Sequence, residues 1–209
     1  MAVMRTQRGF DRLVNFSDAV VAIAITLLIL PLVDASKDVV QEGIGAYFSA
    51  NFWQLLAFVI TFAVIARLWM VHHQVFSWID GYTPALMWLN MLWLAAIVFM
   101  PFTANVLSDS PNGQPDVYAL YIGDLLIATL TMQIMEVIIV RTPGLLLPEA
   151  ADQTDTLRGW TFVILMALAL VLALLFPRVG MFWLLLLFAS RPLHIVLGRV
   201  VHRKARTDA

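Results

Sequence analysis

The sequence has no cysteine and few charged residues, and each shortage excludes a class of protein. Without cysteine there is no disulfide scaffold, no thiolate metal site and no cysteine nucleophile. Charged residues make up 13% of the chain, about half the share of a soluble domain, and a formal net charge of -1 provides no basic surface for a nucleic acid. By contrast, 61% of the 209 residues are hydrophobic, and this excess predicts a protein embedded in lipid.

Six hydrophobic stretches are long enough to cross a bilayer, because a helix needs about 20 residues to span a hydrocarbon core of about 30 Å. The sequence therefore predicts an all-α membrane protein with six transmembrane helices. We find no internal repeat, and we expect one membrane domain over residues 1–209. The predicted spans are residues 13–33, 47–70, 84–107, 117–140, 159–176 and 181–200.

The basic residues predict how these spans are oriented. An even number of spans places both termini on the same side of the membrane. Basic residues precede the first span, flank the fourth connection and follow the last span: Arg5, Arg8, Arg12, Arg141, Arg158, Arg199, Arg203, Lys204 and Arg206. Because positive residues favour the cytoplasmic side, both termini are predicted to be cytoplasmic. The connections are too short for a soluble domain, so the function is expected within or across the membrane.

The first span carries an apolar stripe and a polar pair on different faces. At about 100° per residue, Ile23, Leu27 and Leu30 fall within about 60° of one another. Ser17 and Asp18 point elsewhere, and a charged side chain inside a span is costly unless it is paired. Asp18 is therefore either functional or part of a buried network. The stripe alone is far more typical of ordinary packing against lipid or other helices than of a pore lining.

Possible partners for this polar pair lie at the same depth in the second and third spans. Trp69, His72, His73 and Phe76 follow helical spacing at the end of the second span. We expect interhelical hydrogen bonds among four side chains: Ser17, Asp18, His73 and Asn90. His72 and His73 are about 100° apart around the helix and have no carboxylate within a turn on the same face, so no metal site is expected.

Three further ionisable residues lie inside predicted spans. Asp124 and Glu136 are in the fourth span, and Arg191 is in the sixth. An ion pair between these two helices would make the charges tolerable in lipid. Which acid meets Arg191 is left open by the sequence.

The start of the first span resembles a known family. Arg12, Phe16, Ser17 and Asp18 fit the R-x-x-x-F-S-D signature of the transmembrane-protein-175 family of potassium channels. Further similarity lies in Trp69, His72, His73, Asn90, Pro101 and Phe102. A chain with one six-helix repeat is similar to the bacterial members, which implies a homotetramer in the bacterial plasma membrane.

The resemblance implies a potassium-preferring cation leak channel whose pore is lined by the first helix of each subunit. Matched from Asp18, the hydrophobic constriction would be Ile23, Leu27 and Leu30, with Thr26 as a hydroxyl layer. The remaining matched residues would form a structural polar network: Arg12, Phe16, Ser17, Asp18, Trp69, His72, His73 and Asn90. The implied partners are the bilayer and permeant monovalent cations, with no cofactor beyond the permeant K+. The sequence has no TVGYG-like filter, so we expect selectivity from dehydration at an aliphatic neck.

Two other classes of function fit the sequence less well. A proton-coupled or proton-permeable secondary transporter would place ionisable groups at the bilayer midplane beside broken helices, whereas the middle of the first span is isoleucine and alanine. A membrane enzyme would need a positioned nucleophile or metal, and the sequence contains neither G-x-S-x-G nor H-E-x-x-H. We expect no enzymatic activity.

Overall fold

The computed structural model describes residues 3–4, 7–35, 43–110 and 114–189, which form a bundle of helices. The helices are α1 Gln7–Leu27, α2 Leu30–Ala35, α3 Ile44–Ala50, α4 Phe52–Phe76, α5 Pro84–Ser108, α6 Pro115–Arg141 and α7 Thr156–Leu175. Two 3-10 helices follow α6 and α7, at Pro148–Gln153 and Gly180–Ala189.

Within these described ranges, five helical stretches are long and apolar enough to cross a membrane. They are α1 taken together with α2, and α4, α5, α6 and α7. The chain is therefore a multi-pass membrane protein. The sixth predicted span, 181–200, begins in the 3-10 helix Gly180–Ala189 and continues outside the described residues, so the count of six stays a prediction.

Helices α5 and α6 form the centre of the bundle. They pack along each other, α7 packs on α6, and α1 packs against α5 and α4. The largest side chains that are fully buried there include Trp93, Ile97, Met100, Tyr121, Ile122 and Met135. Between membrane helices such close packing is held by dispersion contacts and hydrogen bonds, because lipid is as apolar as the helix faces.

The first span is not one continuous helix, as the sequence suggested, but breaks at Leu28 and Ile29. Pro31 causes the break because it has no N–H to donate to the carbonyl of Leu27. The chain tightens at this point, where the N–H of Ile29 donates to the carbonyl of Thr26 at 3.3 Å. Helix α2 then resumes the span at Leu30.

The second span begins at Phe52, so the predicted start at Tyr47 was wrong. Tyr47 belongs to the short helix α3, which ends at Asn51. Both the backbone N–H and the side-chain amide of Asn51 donate to the carbonyl of Tyr47, at 3.0 Å each. This local competition with the helical backbone explains the boundary. Tyr47 itself is buried and donates its hydroxyl to the carbonyl of Leu32 in α2 at 2.9 Å.

Three parts of the chain meet at one end of the bundle. Met4 and Tyr82 exchange two backbone hydrogen bonds, of 2.9 and 3.2 Å. The N–H of Leu147 donates to the carbonyl of Trp78 at 2.9 Å. The start of the chain, the α4–α5 connection and the α6–α7 connection are therefore joined. Which side of the membrane this end faces stays a prediction.

Candidate functional site

Helix α1 presents two different faces. One is buried against the bundle and follows helical spacing through Ser17, Val21, Ala24 and Leu28. The other keeps large apolar side chains exposed, and we call it the exposed apolar face of α1: Phe16, Ile23, Leu27 and, beyond the break, Leu30. The buried face fixes α1 to its own subunit, while the exposed face is left for lipid or for another copy of the chain.

The side chains predicted to narrow a pore all lie on the exposed apolar face. Ile23 is 60% exposed, Leu27 39% and Leu30 51%. Thr26 is also exposed, and its hydroxyl donates to the carbonyl of Ile23 at 2.7 Å. A hydroxyl bonded in this way still presents oxygen lone pairs outward. This surface offers aliphatic carbon and oxygen but no charge.

A one-way chain of hydrogen bonds links α4, α5 and α1 on the buried face. His72 Nε2 donates to Asn90 Oδ1 at 2.8 Å, and Asn90 Nδ2 donates to Ser17 Oγ at 2.8 Å. The Ser17 hydroxyl then donates to the carbonyl of Leu13 at 2.9 Å. His72, Asn90 and Ser17 are each almost completely buried. Every donor in this chain has an acceptor, as an apolar environment requires.

Two aromatic rings hold His72 in place. Its ring stacks on Phe76 with centroids 4.1 Å apart and on Trp93 with centroids 4.3 Å apart. Sequence reasoning missed Trp93, although it follows Asn90 by three residues and so shares its face of α5. That spacing was the available signal.

A second contact between α1 and α4 uses Asp18. The indole Nε1 of Trp69 donates to Asp18 Oδ1 at 2.8 Å. His73 lies beside Trp69, with ring centroids 5.5 Å apart, and is exposed. The sequence predicted that His73 takes part in the hydrogen-bond network, but the histidine that does so is His72, which donates to Asn90. The rotation of about 100° between neighbouring residues turns His72 toward α5 and His73 outward.

Two residues grouped with the polar network lie on the surface instead. Arg12 is exposed, and Phe16 is 52% exposed on the exposed apolar face of α1. In one subunit neither contributes to the hydrogen-bond chain. Arg191, the basic residue expected to meet a buried acid, lies outside the described residues.

The polar side chains of this site hold α1 in place and form no metal-binding cluster in the described residues. In the part of the chain that the structure describes, no group of three or more His, Cys, Asp or Glu side chains could hold a metal ion. The buried polar groups of α1 are satisfied within the subunit. The arrangement orients α1 and leaves its exposed apolar face directed away from the bundle.

Residues 12–101 match the family model described as the endosomal/lysosomal potassium channel TMEM175. Over these residues the chain is similar to the TMEM175 family. The match contains all the side chains of the hydrogen-bond chain and the exposed apolar face of α1. The TMEM175 family consists of ion channels rather than enzymes, which agrees with the expectation from sequence.

Curated relatives carry related names. A potassium channel of Streptomyces collinus is 39% identical over 98 residues, which are 47% of this chain and 47% of that protein. The human endosomal/lysosomal proton channel TMEM175 is 37% identical over 98 residues, which are 44% of this chain and 19% of that protein. The similarity thus spans about half the length of the bacterial relative and about a fifth of the human one.

A solved structure shares the fold. The crystal structure of a lysosomal potassium-selective channel TMEM175 homologue from Chamaesiphon minutus matches with a TM-score of 0.65. The match covers 97% of this chain and 100% of that chain at 23% sequence identity. The common architecture therefore extends well beyond the residues that match the TMEM175 family model.

Proposed function

We propose that this protein is a potassium-preferring cation leak channel of the bacterial plasma membrane. In this proposal four copies of the chain surround an axis that is lined by α1. The observation that carries it is the division of α1 into a face fastened to α4 and α5 and an apolar face left exposed. The support from relatives is that residues 12–101 match a potassium-channel family and that the Streptomyces collinus relative is named a potassium channel.

The exposed apolar face would form the narrowest part of the pore. Four copies of Ile23, Leu27 and Leu30 turned toward one axis give an aliphatic neck, with Thr26 hydroxyls beside it. Such a neck offers a passing ion no replacement for its water, so the barrier is the cost of dehydration. Potassium holds its water less tightly than sodium does, and the neck therefore prefers potassium.

The buried polar contacts would keep that face on the axis. The hydrogen bonds from His72 through Asn90 to Ser17 oppose rotation of α1 about its own axis, because they fix one side of the helix. The contact from Trp69 to Asp18 fixes α1 to α4 at a second point. We assign both contacts a structural role rather than a role in binding the ion.

Substitution of the neck residues tests the proposal. Ile23→Ala and Leu27→Ala should widen the constriction, raise conductance and weaken the discrimination between K+ and Na+. The measurement is the reversal potential of reconstituted protein under bi-ionic K+/Na+ conditions.

Two apolar residues on α7 supply matched controls. Ile164 is 63% exposed and Leu168 is 43% exposed, which is close to the exposure of Ile23 and Leu27. Ile164→Ala and Leu168→Ala should leave selectivity unchanged. If Ile23→Ala and Leu27→Ala also leave selectivity and conductance unchanged, neither residue lies in the ion path.

Proton permeation is the second candidate, whether through the same pore or by a proton-coupled transporter. The observation that favours it is the name of the human relative, a proton channel. Vesicles holding the reconstituted protein in a pH gradient, with potassium replaced by an impermeant cation, measure it directly. Proton flux with channel-sized current supports a proton-permeable channel. Flux without such current supports a coupled transporter.

A further inference from the structure

An acidic side chain is buried inside the bundle, away from the exposed apolar face of α1. Asp124 of α6 is 5% exposed. Thr103 of α5 lies 3.4 Å from it, measured between Oγ1 and Oδ2. One turn earlier on α6, the hydroxyl of Tyr121 is 3.4 Å from that of Thr61 on α4. We call these four side chains the hydroxyl cluster. Helices α4, α5 and α6 each contribute to it.

The hydrogens available for donation in the hydroxyl cluster indicate whether the carboxyl group of Asp124 is protonated. The Thr103 hydroxyl lies 3.0 Å from the carbonyl of Met100 as well as 3.4 Å from Asp124 Oδ2. A hydroxyl has one hydrogen to donate, and the shorter contact is with Met100. If Thr103 donates its hydrogen to Met100, the contact between Thr103 and Asp124 is a hydrogen bond only when Asp124 supplies the hydrogen. A carboxylic acid has that hydrogen, whereas a carboxylate does not.

The surroundings of Asp124 lead to the same conclusion. In the described part of the chain, the side chain that acts directly on its carboxyl is Thr103, and no basic group from α4, α5 or α7 forms an ion pair with it. The neighbouring titratable group on α6 is Tyr121, which is a neutral phenol at neutral pH. An ionised carboxylate inside a membrane bundle is costly unless a cation compensates it.

We propose that Asp124 is an intramembrane proton-binding site. At neutral pH it is a neutral carboxylic acid that donates its O–H to Thr103, while Thr103 donates to Met100. The ligand is a single proton, and the site lies in each subunit rather than on the axis proposed for ions. The proposal does not depend on the proposed function, since conduction along α1 can fail while Asp124 keeps its proton.

Infrared spectroscopy of the reconstituted full chain at neutral pH tests the site. A protonated carboxyl group gives a C=O stretching band that an ionised one lacks. We expect a band that is lost in Asp124→Asn. In Thr103→Val the band should persist and shift to higher frequency, because the acid loses its acceptor. The Thr103→Val spectrum keeps the test decisive even if Asp124→Asn folds poorly.

Glu136 provides the matched control, because it is an acidic residue of the same helix and is also partly buried. Glu136→Gln should leave the Asp124 band in place. A wild-type spectrum that is unchanged by Asp124→Asn would overturn the proposal. It would also be overturned if the band appeared only in Arg191→Gln, since Asp124 would then be ionised and paired with that arginine.

The pH dependence of stability gives a second readout. A folded chain that keeps this proton, compared with an unfolded chain that releases it to water, takes up a proton on folding. The free energy of unfolding then falls as pH rises, and this slope should be smaller in Asp124→Asn. Equal slopes in the two proteins would contradict a proton held by Asp124.

Discussion

At the scale of residues, each buried polar group of the site has few hydrogen-bond partners, so the loss of one partner is not compensated. Asn90 is the central residue of the hydrogen-bond chain, because its side-chain carbonyl oxygen accepts from His72 and its side-chain amide donates to Ser17. Both Asn90 and Ser17 are completely buried, so bulk water does not offer replacement hydrogen bonds. Losing Asn90 therefore leaves a donor on α4 and an acceptor on α1 without their partners.

Asn90→Leu should lower the free energy of unfolding by about 1–3 kcal/mol, because two buried polar groups lose their bonds. Ser17→Ala should cost less once Asn90 is already leucine, since the pair is then broken. Equilibrium denaturation of the detergent-solubilised single and double variants measures this coupling.

Ser49→Ala is the matched control for Ser17→Ala. Ser49 is exposed, and its hydroxyl bonds only to carbonyls of its own helix, those of Gly45 and Ala46. It should change stability little. Strict additivity of Ser17→Ala and Asn90→Leu would contradict a shared hydrogen-bond chain.

Sequence reasoning reached most of these residues but not their pairing. Depth along the spans brought Ser17, Asp18 and Asn90 to one level, because span length and direction follow from hydropathy. The choice between His72 and His73 depends on the rotation of α4 relative to α5. Packing of large side chains such as Trp93 sets that rotation, and hydropathy does not predict it.

At the scale of elements, the helix ends follow local rules. Helix α5 begins at Pro84, and the preceding Thr83 accepts a hydrogen bond from the N–H of Leu86 at 3.2 Å. This is a side-chain cap on a helix that carries Asn90 into the site. The predicted third span, 84–107, differs from α5 by one residue. The start of the helix is predictable because Thr83 and Pro84 form a typical helix N-terminus.

Thr83→Ala should therefore reduce the free energy of unfolding by about 0.5–2 kcal/mol, because the cap acceptor is lost and Thr83 is completely buried. Thr83→Ser keeps the oxygen and should retain most of the stability. Thermal unfolding of the two variants in the same detergent compares them. Equal losses in alanine and serine would attribute the effect to the methyl group instead of the cap.

The first span shows where local rules are insufficient. Pro31 was visible in the sequence, yet the predicted span ran through it to residue 33. The segment after the break is stabilised by a contact with α3, because Tyr47 donates to the carbonyl of Leu32. That contact joins residues from two segments, and single-span periodicity carries no information about it.

At the scale of the whole molecule, the proposal requires several copies of α1 to approach one another. The absence of cysteine makes this directly testable, because a single introduced cysteine has no background. Ile23→Cys should give a dimer band with a short bifunctional thiol cross-linker, since the proposed tetramer would turn the four copies of residue 23 toward one axis. Native mass spectrometry should give a mass of four chains.

Ile164→Cys is the control, because Ile164 is similarly exposed but lies on α7. It should remain uncross-linked. Cross-linking at residue 164 with none at residue 23 would place α7, not α1, at the centre of the assembly.

The pairing of Met4 with Tyr82 has a mechanical consequence. Sliding the first helix along its length would break both backbone bonds to Tyr82. A swing of the short piece beyond Leu28 would break neither of them. The beginning of this helix is thus fixed to the rest of its subunit by these two backbone bonds, while the segment beyond Leu28 is held separately, by the hydrogen bond from Tyr47 to Leu32.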